Sequence, residues 1–245
     1  MDSERLVVGA GLLAMALVSW ALVILNVGPM MGMPGLPIDS VTLLFFVATW
    51  TIGMVAMMFP TAVPMLLMFL HVGKNASEEV KSGGGPTTTK ALLFAATYIG
   101  CWVAMGVVLY VAIAVVLSLL PMEVNLFIGT SVGVGAALIL VAAYQLSPVK
   151  GECLNRCHPT SFLYKYYKGG LLGSVWMGAD YAKYCIGCCW VMMAFLIVSA
   201  SMGVAWMAVF AGIIFVERTI SHSKWAPRLF GVGFLVGGLA LVLAG

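Results

Sequence analysis

The sequence predicts an all-α protein, a polytopic membrane helical bundle of about seven transmembrane helices with its N-terminus inside. Three observations lead to this prediction. Hydrophobic residues make up 62% of the 245 residues and charged residues only 9%, whereas soluble domains carry about 25% charged residues. The mean hydropathy is +1.09. Apolar runs long enough to cross a bilayer recur along the chain, and the basic residues fall into one alternate set of the segments between them.

The predicted helices follow the apolar runs and end at glycine, proline or polar segments. They cover about residues 6–27, 41–70, 91–120, 124–146, 182–201, 202–216 and 229–244. The last two are short for a bilayer that requires about 20 residues, so a re-entrant hairpin near 202–216 is the alternative. Segment 74–90 carries a Gly-Gly-Gly-Pro run and is predicted as a flexible loop. Segment 147–180 is predicted as a polar loop that bears cysteines. The whole chain, 1–245, is predicted to form one integral membrane domain.

The distribution of lysine and arginine predicts the orientation. All 12 lie before the first predicted helix, at 74–90, at 147–183 or at 218–228, whereas the opposite side has Asp39 and Glu123. Positive charge marks the cytoplasmic side, so we expect a multi-pass protein of the plasma membrane with its clustered cysteines facing the cytoplasm. Thiols stay reduced there. A formal charge of +3 is too small to indicate nucleic-acid binding.

The most informative stretch is a stripe of sulfur in the predicted helix 182–201. Cys185, Cys188, Cys189 and Met192 stand at i, i+3, i+4 and i+7, which places them on one helix face. Thiolates and thioethers are the soft ligands that select Cu(I), and four thiolates also suit Zn²⁺. Apolar core packing is the alternative interpretation, because Cys and Met are also good core residues.

A second pair of thiols lies in the predicted loop. Cys153 and Cys157 stand at i and i+4, and His158 adds an imidazole directly after them. Three thiols on one rigid helix cannot all surround one small ion. We therefore expect the Cys153–Cys157 turn to fold back onto the helix with the sulfur stripe, so that its thiols share a site with Cys185 or with Cys188 and Cys189.

Methionines form another array in the predicted helix 41–70. Met54, Met57 and Met58 recur near one face, together with Met65 and Met68, and the interior prolines Pro60 and Pro64 free two backbone carbonyls. Such a face is expected to point into the bundle and to offer secondary copper ligands. Methionine as a flexible core filler is the alternative. Met30, Met31 and Met33 form either an outer access cluster or an apolar loop. Glu217 is predicted to be a solvated interface residue.

Three segments together resemble a bacterial and archaeal family of predicted metal-binding integral membrane proteins of unknown function. They are Ala56-Met57-Met58-Phe59-Pro60 with Pro64, Tyr144-Gln145-Leu146-Ser147-Pro148-Val149-Lys150 followed by the two loop cysteines, and Tyr184-Cys185-Ile186-Gly187-Cys188-Cys189-Trp190. The similarity covers about residues 45–220, and the Cys-Cys-Trp segment is its most specific part. The resemblance implies metal binding and gives neither a substrate nor a reaction.

The leading hypothesis is therefore a membrane metal-binding protein that handles Cu(I), or Zn²⁺, as a transporter, a chaperone or an assembly factor for a copper enzyme. The first alternative is a membrane thiol-disulfide oxidoreductase with Cys185 and Cys188 as the exchanging pair. The second is a non-catalytic subunit of a membrane complex whose sulfurs only pack. We identify no nucleotide-binding glycine loop and no convincing Ser/His/Asp pattern. The expected partners are the lipid bilayer, a metal ion and, in the second alternative, other membrane subunits.

Overall fold

The computed structural model describes residues 3–26, 40–79, 87–119, 130–198, 204–219 and 225–244, and these residues are almost entirely α-helical. The predicted all-α class is thereby confirmed. Nine helices lie in the described ranges: α1 Ser3–Asn26, α2 Ser40–Glu79, α3 Thr87–Leu119, α4 Ser131–Gln145, α5 Pro148–Cys157, α6 Pro159–Tyr166, α7 Gly170–Val198, α8 Val204–Thr219 and α9 Trp225–Ala244.

The number of membrane-length helices is lower than the predicted seven. Five described helices are long and apolar enough to cross a membrane: α1, α2, α3, α7 and α9. A sixth span results if α4 and α5, which meet at 63°, count as one broken span. Helix α8 is outside this set because it has only 16 residues, and its last turn carries Glu217 and Arg218.

The segment predicted as a cysteine-bearing loop, 147–180, is mostly helical. Ser147 caps α5, since its hydroxyl accepts a hydrogen bond from Lys150 N at 3.3 Å and Pro148 occupies the first turn. Pro159 begins α6 in the same position, and Gly170, with a φ of +84°, begins α7. These helices were not predicted because α5 and α6 are short and amphipathic, with one buried face each. Their polar residues gave the segment the composition of a loop.

Two other predicted loops agree only in part with the structure. Helix α2 continues to Glu79 and α3 begins at Thr87, so only residues 80–86 of the predicted loop 74–90 are not assigned to a helix, and they lie outside the described residues. The methionine-rich segment 28–39 also lies outside them, as do residues 124–129 of the fourth predicted helix.

Helix α7 stands at the centre of the packing, with α3 against it on one side and α5 on another. Helix α2 contacts α1, α3 and α8, while α4 packs along α9. The α4–α9 pair approaches closely because Gly135 and Gly238 face each other. A Cβ on Gly135 would lie 2.7 Å from the Gly238 carbonyl oxygen, so only glycine fits there. This arrangement brings the middle of α2 and of α7 together with the C-terminal ends of α5 and α8 around the cysteines.

Candidate metal centre

Helix α7 supplies the sulfur stripe, and the stripe points inward. Cys185, Cys188, Cys189 and Met192 are each 3% exposed or less. The Sγ atoms of Cys188 and Cys189 donate to the Cys185 carbonyl oxygen at 3.1 and 2.7 Å. These local bonds follow from the i+3 and i+4 spacing, since each thiol reaches back one turn to the same carbonyl.

Helix α5 lies across the stripe because Gly187 leaves room for it. A Cβ at Gly187 would lie 2.9 Å from Cys153 Sγ, and Tyr144 OH donates a hydrogen bond to the Gly187 carbonyl oxygen. This close approach buries Cys157, which is 1% exposed. It belongs to the same buried core as Cys185 and Cys188. Thiols that are 28 or more positions apart in the sequence therefore meet in one cluster.

Arg218 from α8 reaches into the same cluster. Its NH2 donates to Cys157 Sγ at 2.8 Å, and its NH1 donates to Cys185 Sγ at 3.2 Å. The same two nitrogens also donate to Thr61 Oγ1 at 2.8 Å and to Tyr181 OH at 2.7 Å. The residue is only 4% exposed. The expectation that Arg218 lies in a loop between two helices is therefore wrong, because it stands in the last turn of α8 with its guanidinium buried against two thiols.

The third guanidinium nitrogen of Arg218, Nε, differs from the other two. It is buried and, among the residues that the structure describes, it has no protein hydrogen-bond partner. The guanidinium carbon lies 5.2 Å from the centre of the Tyr181 ring, within cation–π range. A buried cation is thus held by two sulfurs, two hydroxyls and a ring, and none of these four hydrogen-bond acceptors is a carboxylate.

Aromatic side chains enclose the thiols on the α3 side. Tyr98 OH lies 3.1 Å from Cys185 Sγ, and the Tyr98 ring packs on Tyr181 with centroids 5.6 Å apart. Tyr181 in turn meets Phe162 of α6 edge-on at 5.1 Å. Tyr98, Tyr181 and Phe162 are each 1% exposed or less, so this side of the cluster is closed to solvent.

A second buried polar group lies next to Arg218 in sequence. Glu217 accepts from Lys150 Nζ at 2.7 Å and from Gln145 Nε2, and Lys150 also donates to Gln145. All three residues are 2% exposed or less, so the prediction of a solvated Glu217 is wrong. Burial raises the pKa of the Glu217 carboxyl, and Lys150 opposes that rise. This network fixes the end of α8 to α4 and α5, and so positions Arg218.

The methionine face of α2 also points inward, as predicted. Met54, Met57, Met58 and Met65 are at most 1% exposed, whereas Met68 is half-buried. Helix α2 continues through both prolines, and its Thr61 contacts Arg218. The methionines therefore lie on the helix that borders the cluster, while their role as ligands stays a prediction.

The other predicted ligands lie at the margin. Cys153 is half-buried behind Gly187. His158 Nδ1 lies 2.9 Å from Thr160 Oγ1, and the side chain lines a groove of about 270 Å³ that Met68 and Arg218 also line. Cys101, on α3, is half-buried.

The described structure places two thiols, rather than three or four ligands, around one position. No group of three or more His, Cys, Asp or Glu side chains within the described ranges is arranged to hold a metal ion, and Zn²⁺ requires about four such ligands. Cys157 and Cys185 instead face one cation, Arg218, from two helices. Cu(I) accepts two thiolates in a linear arrangement and prefers sulfur ligands.

Sequence reasoning identified the thiols and missed Arg218, Thr61, Tyr98 and Tyr181. One signal was available for Arg218, because an ionisable pair at the end of an apolar helix indicates a functional site when it is buried. The tyrosines gave no signal, since aromatic residues in an apolar helix usually pack.

Comparison with protein families matches residues 47–241 to the copper chaperone family PpoB2. Neither the curated proteins nor the solved structures gave a match. The matched range contains α3 to α8 complete and nearly all of α2 and α9, including every residue of the cluster described above. The chain therefore belongs to the PpoB2 copper chaperone family.

Proposed function

We propose that the protein is a membrane-embedded copper chaperone that binds Cu(I) between Cys157 and Cys185. One observation carries this proposal: thiols from two separate helices, α5 and α7, face the same buried cation. A pair of soft donors on opposite elements is what Cu(I) requires, and neither helix offers the pair by itself. The family match supports copper as the cargo.

The remaining sulfurs suit transfer. Cys188 and Cys189 extend the pair along α7, and the buried methionines Met192, Met54, Met57 and Met58 offer thioethers. Thioethers bind Cu(I) more weakly than thiolates, so an ion can exchange along such a series without a large barrier. Cys153 and His158 at the margin are in position to pass the ion between the cluster and the surface.

The proposed location is the plasma membrane. The lengths of the helices and the apolar side chains exposed on the surface of the bundle support a membrane location. Five helices have the length and hydropathy of membrane spans. Large apolar side chains such as Leu17 (70% exposed), Leu172 (71%) and Leu243 (85%) point outward. A lipid environment removes the cost of exposing them. Because Lys150 and Arg218 are buried, they give no information about orientation, and the cytoplasmic placement of the cysteines rests on the other basic residues.

Anaerobic Cu(I) titration of the detergent-purified protein against a coloured Cu(I) chelator tests the proposal. We expect one tightly held ion per chain. Cys157→Ser or Cys185→Ser should lower the affinity roughly 100-fold or more, since even residues that only support metal ligands cost 10–100-fold. Cys101→Ser is the matched control, a half-buried thiol outside the cluster, and should bind as the wild type does. Wild-type affinity in both cluster variants would refute the proposal.

The same sample separates the two alternatives. A thiol-disulfide oxidoreductase requires two to four thiols that cycle with dithiothreitol in the absence of metal, with Cys185 and Cys188 as the exchanging pair. A non-catalytic subunit requires inert thiols and stable co-purification with large membrane partners. Counting free thiols before and after dithiothreitol, beside the metal content, distinguishes these outcomes.

A further inference from the structure

We propose that Arg218 occupies the Cu(I) position in the metal-free protein and that the ion displaces it on arriving through the adjacent groove. The inference rests on the proposed function and adds a loading mechanism to it. The groove is the cavity of about 270 Å³ that Arg218 lines together with Met68, His158 and Thr219.

The first step of the argument is steric. A thiolate holds a metal ion at about 2.3 Å, while Arg218 NH2 lies only 2.8 Å from Cys157 Sγ and NH1 only 3.2 Å from Cys185 Sγ. An ion bound by both sulfurs would face the N–H groups that the guanidinium directs at the same two atoms. Two positive charges would then share one pair of sulfurs, so we expect Cu(I) and the guanidinium to compete for them.

The second step concerns charge. The thiols, aromatic rings and methionines form a buried environment in which an uncompensated cation is costly. Arg218 supplies one positive charge beside the thiols, and Cu(I) supplies one positive charge when it replaces the guanidinium. Each thiol that binds the ion releases its proton to water, and no electron is transferred. Cu(I) held by two thiolates carries one net negative charge, which the displaced guanidinium at the groove wall balances.

The third step concerns the path. The Nε of the guanidinium has no hydrogen-bond partner within the described structure, so its position beside the thiols leaves one donor unpaired. Residue Arg218 also forms part of the groove wall. The groove offers a thioether from Met68 and an imidazole from His158, which are ligands that Cu(I) accepts on its way in. A short movement of the guanidinium toward the groove would open the sulfur pair to that side.

Arginine footprinting with phenylglyoxal and mass spectrometry tests the displacement directly. Arg218 is protected in the metal-free protein, where it is 4% exposed. We expect stoichiometric Cu(I) to raise its modification rate about tenfold, which corresponds to losing one or two charged hydrogen bonds. Arg156, whose side chain is 41% exposed, is the internal control and should react alike in both samples. Equal protection of Arg218 with Cu(I) bound would overturn the inference.

Three variants test the displacement of Arg218 and the path through the groove separately. Arg218→Gln should increase the alkylation rate of Cys157 by a small water-soluble methanethiosulfonate about tenfold, while Arg218→Lys should keep it near the wild-type rate. Thr219→Trp should slow Cu(I) loading in stopped flow while leaving the equilibrium affinity unchanged, because it fills the groove without touching the thiols. Wild-type loading by Thr219→Trp would refute the path.

The outcomes also distinguish this inference from the proposed function. Cu(I) that binds stoichiometrically beside a protected Arg218 refutes only the displacement. Absence of Cu(I) binding in the titration refutes the proposed function itself, whatever the footprint shows.

Discussion

The buried Lys150–Glu217 ion pair provides the sharpest test of how the cluster is held together. Lys150 Nζ lies 2.7 Å from Glu217 Oε2, and the two side chains are 1% and 3% exposed. Lys150→Met keeps the apolar stem and removes the charge. Removing one partner of a buried pair costs about 3–5 kcal/mol, because the other charge remains buried and unpaired. We expect a loss of this size in the free energy of unfolding.

The double variant Lys150→Met/Glu217→Gln isolates the pair. It leaves two neutral side chains of similar shape, so most of the loss should be recovered, with a coupling energy of about 2 kcal/mol or more. The measurement is equilibrium unfolding in mixed detergent micelles for the wild type, both single variants and the double variant. Additive single effects, or a Lys150→Met loss below about 1 kcal/mol, would show that the pair does not hold α8 in place.

The pH dependence gives an independent check. Burial raises the pKa of Glu217 and Lys150 opposes the rise, so Lys150→Met should leave the folded-state pKa well above the unfolded value of about 4.3. A group with a raised pKa stabilises the folded state below its unfolded pKa, and this contribution is lost as the pH rises through the folded pKa. Lys150→Met should therefore unfold more easily at about pH 8 than at pH 5. The double variant, which has no carboxyl there, should lack this slope. Equal pH dependence of stability in Lys150→Met and in the double variant would contradict the assignment of this slope to Glu217.

Three further predictions concern the cluster. Gly187→Ala should destabilise the protein by about 1–3 kcal/mol, because the added methyl group overpacks against Cys153. In a Cys153→Ala background the same change should be neutral or stabilising, since alanine has the higher helix propensity. The free energies of unfolding with and without Gly187→Ala, measured in both backgrounds, test this prediction. Tyr98→Phe should cost about 1 kcal/mol because Cys185 loses its phenolic partner, and thermal unfolding in detergent would reveal the loss. Cys153 should be labelled from the same side of sealed vesicles as a tag in segment 74–90, and labelling from the opposite side would refute the topology.

The sequence by itself determined the class of fold and the chemistry of the candidate site. Hydropathy does not depend on tertiary contacts, so the apolar runs located α1, α3 and α9 within about four residues. They located only the apolar part of α2, which ends nine residues later than predicted, and of α7, which begins 12 residues earlier. The helical spacing of Cys185, Cys188 and Cys189 likewise depends only on local geometry, and it placed the three thiols on one face.

Charge and loop assignments depended on the tertiary structure. A lysine or arginine was expected in solvent, because a single buried cation is costly unless partners converge on it. Those partners come from distant parts of the chain: Thr61 and Tyr181 for Arg218, and Glu217 for Lys150. No local pattern encodes such convergence. The segment 147–180 was predicted as a loop for a related reason, since its short helices are stable only when one face packs on the bundle.

The tertiary structure also decided which thiols from different helices lie close together. The expectation that the Cys153–Cys157 turn folds back onto the sulfur stripe was a hypothesis about distance, which spacing along one helix cannot test. The contact depends on the absence of a side chain at Gly187, which lets α5 approach until Cys157 meets Cys185. The thiols of the proposed copper site are visible in the sequence, but the guanidinium that contacts them belongs to a helix 33 positions further on, and only the packing of α8 brings it there.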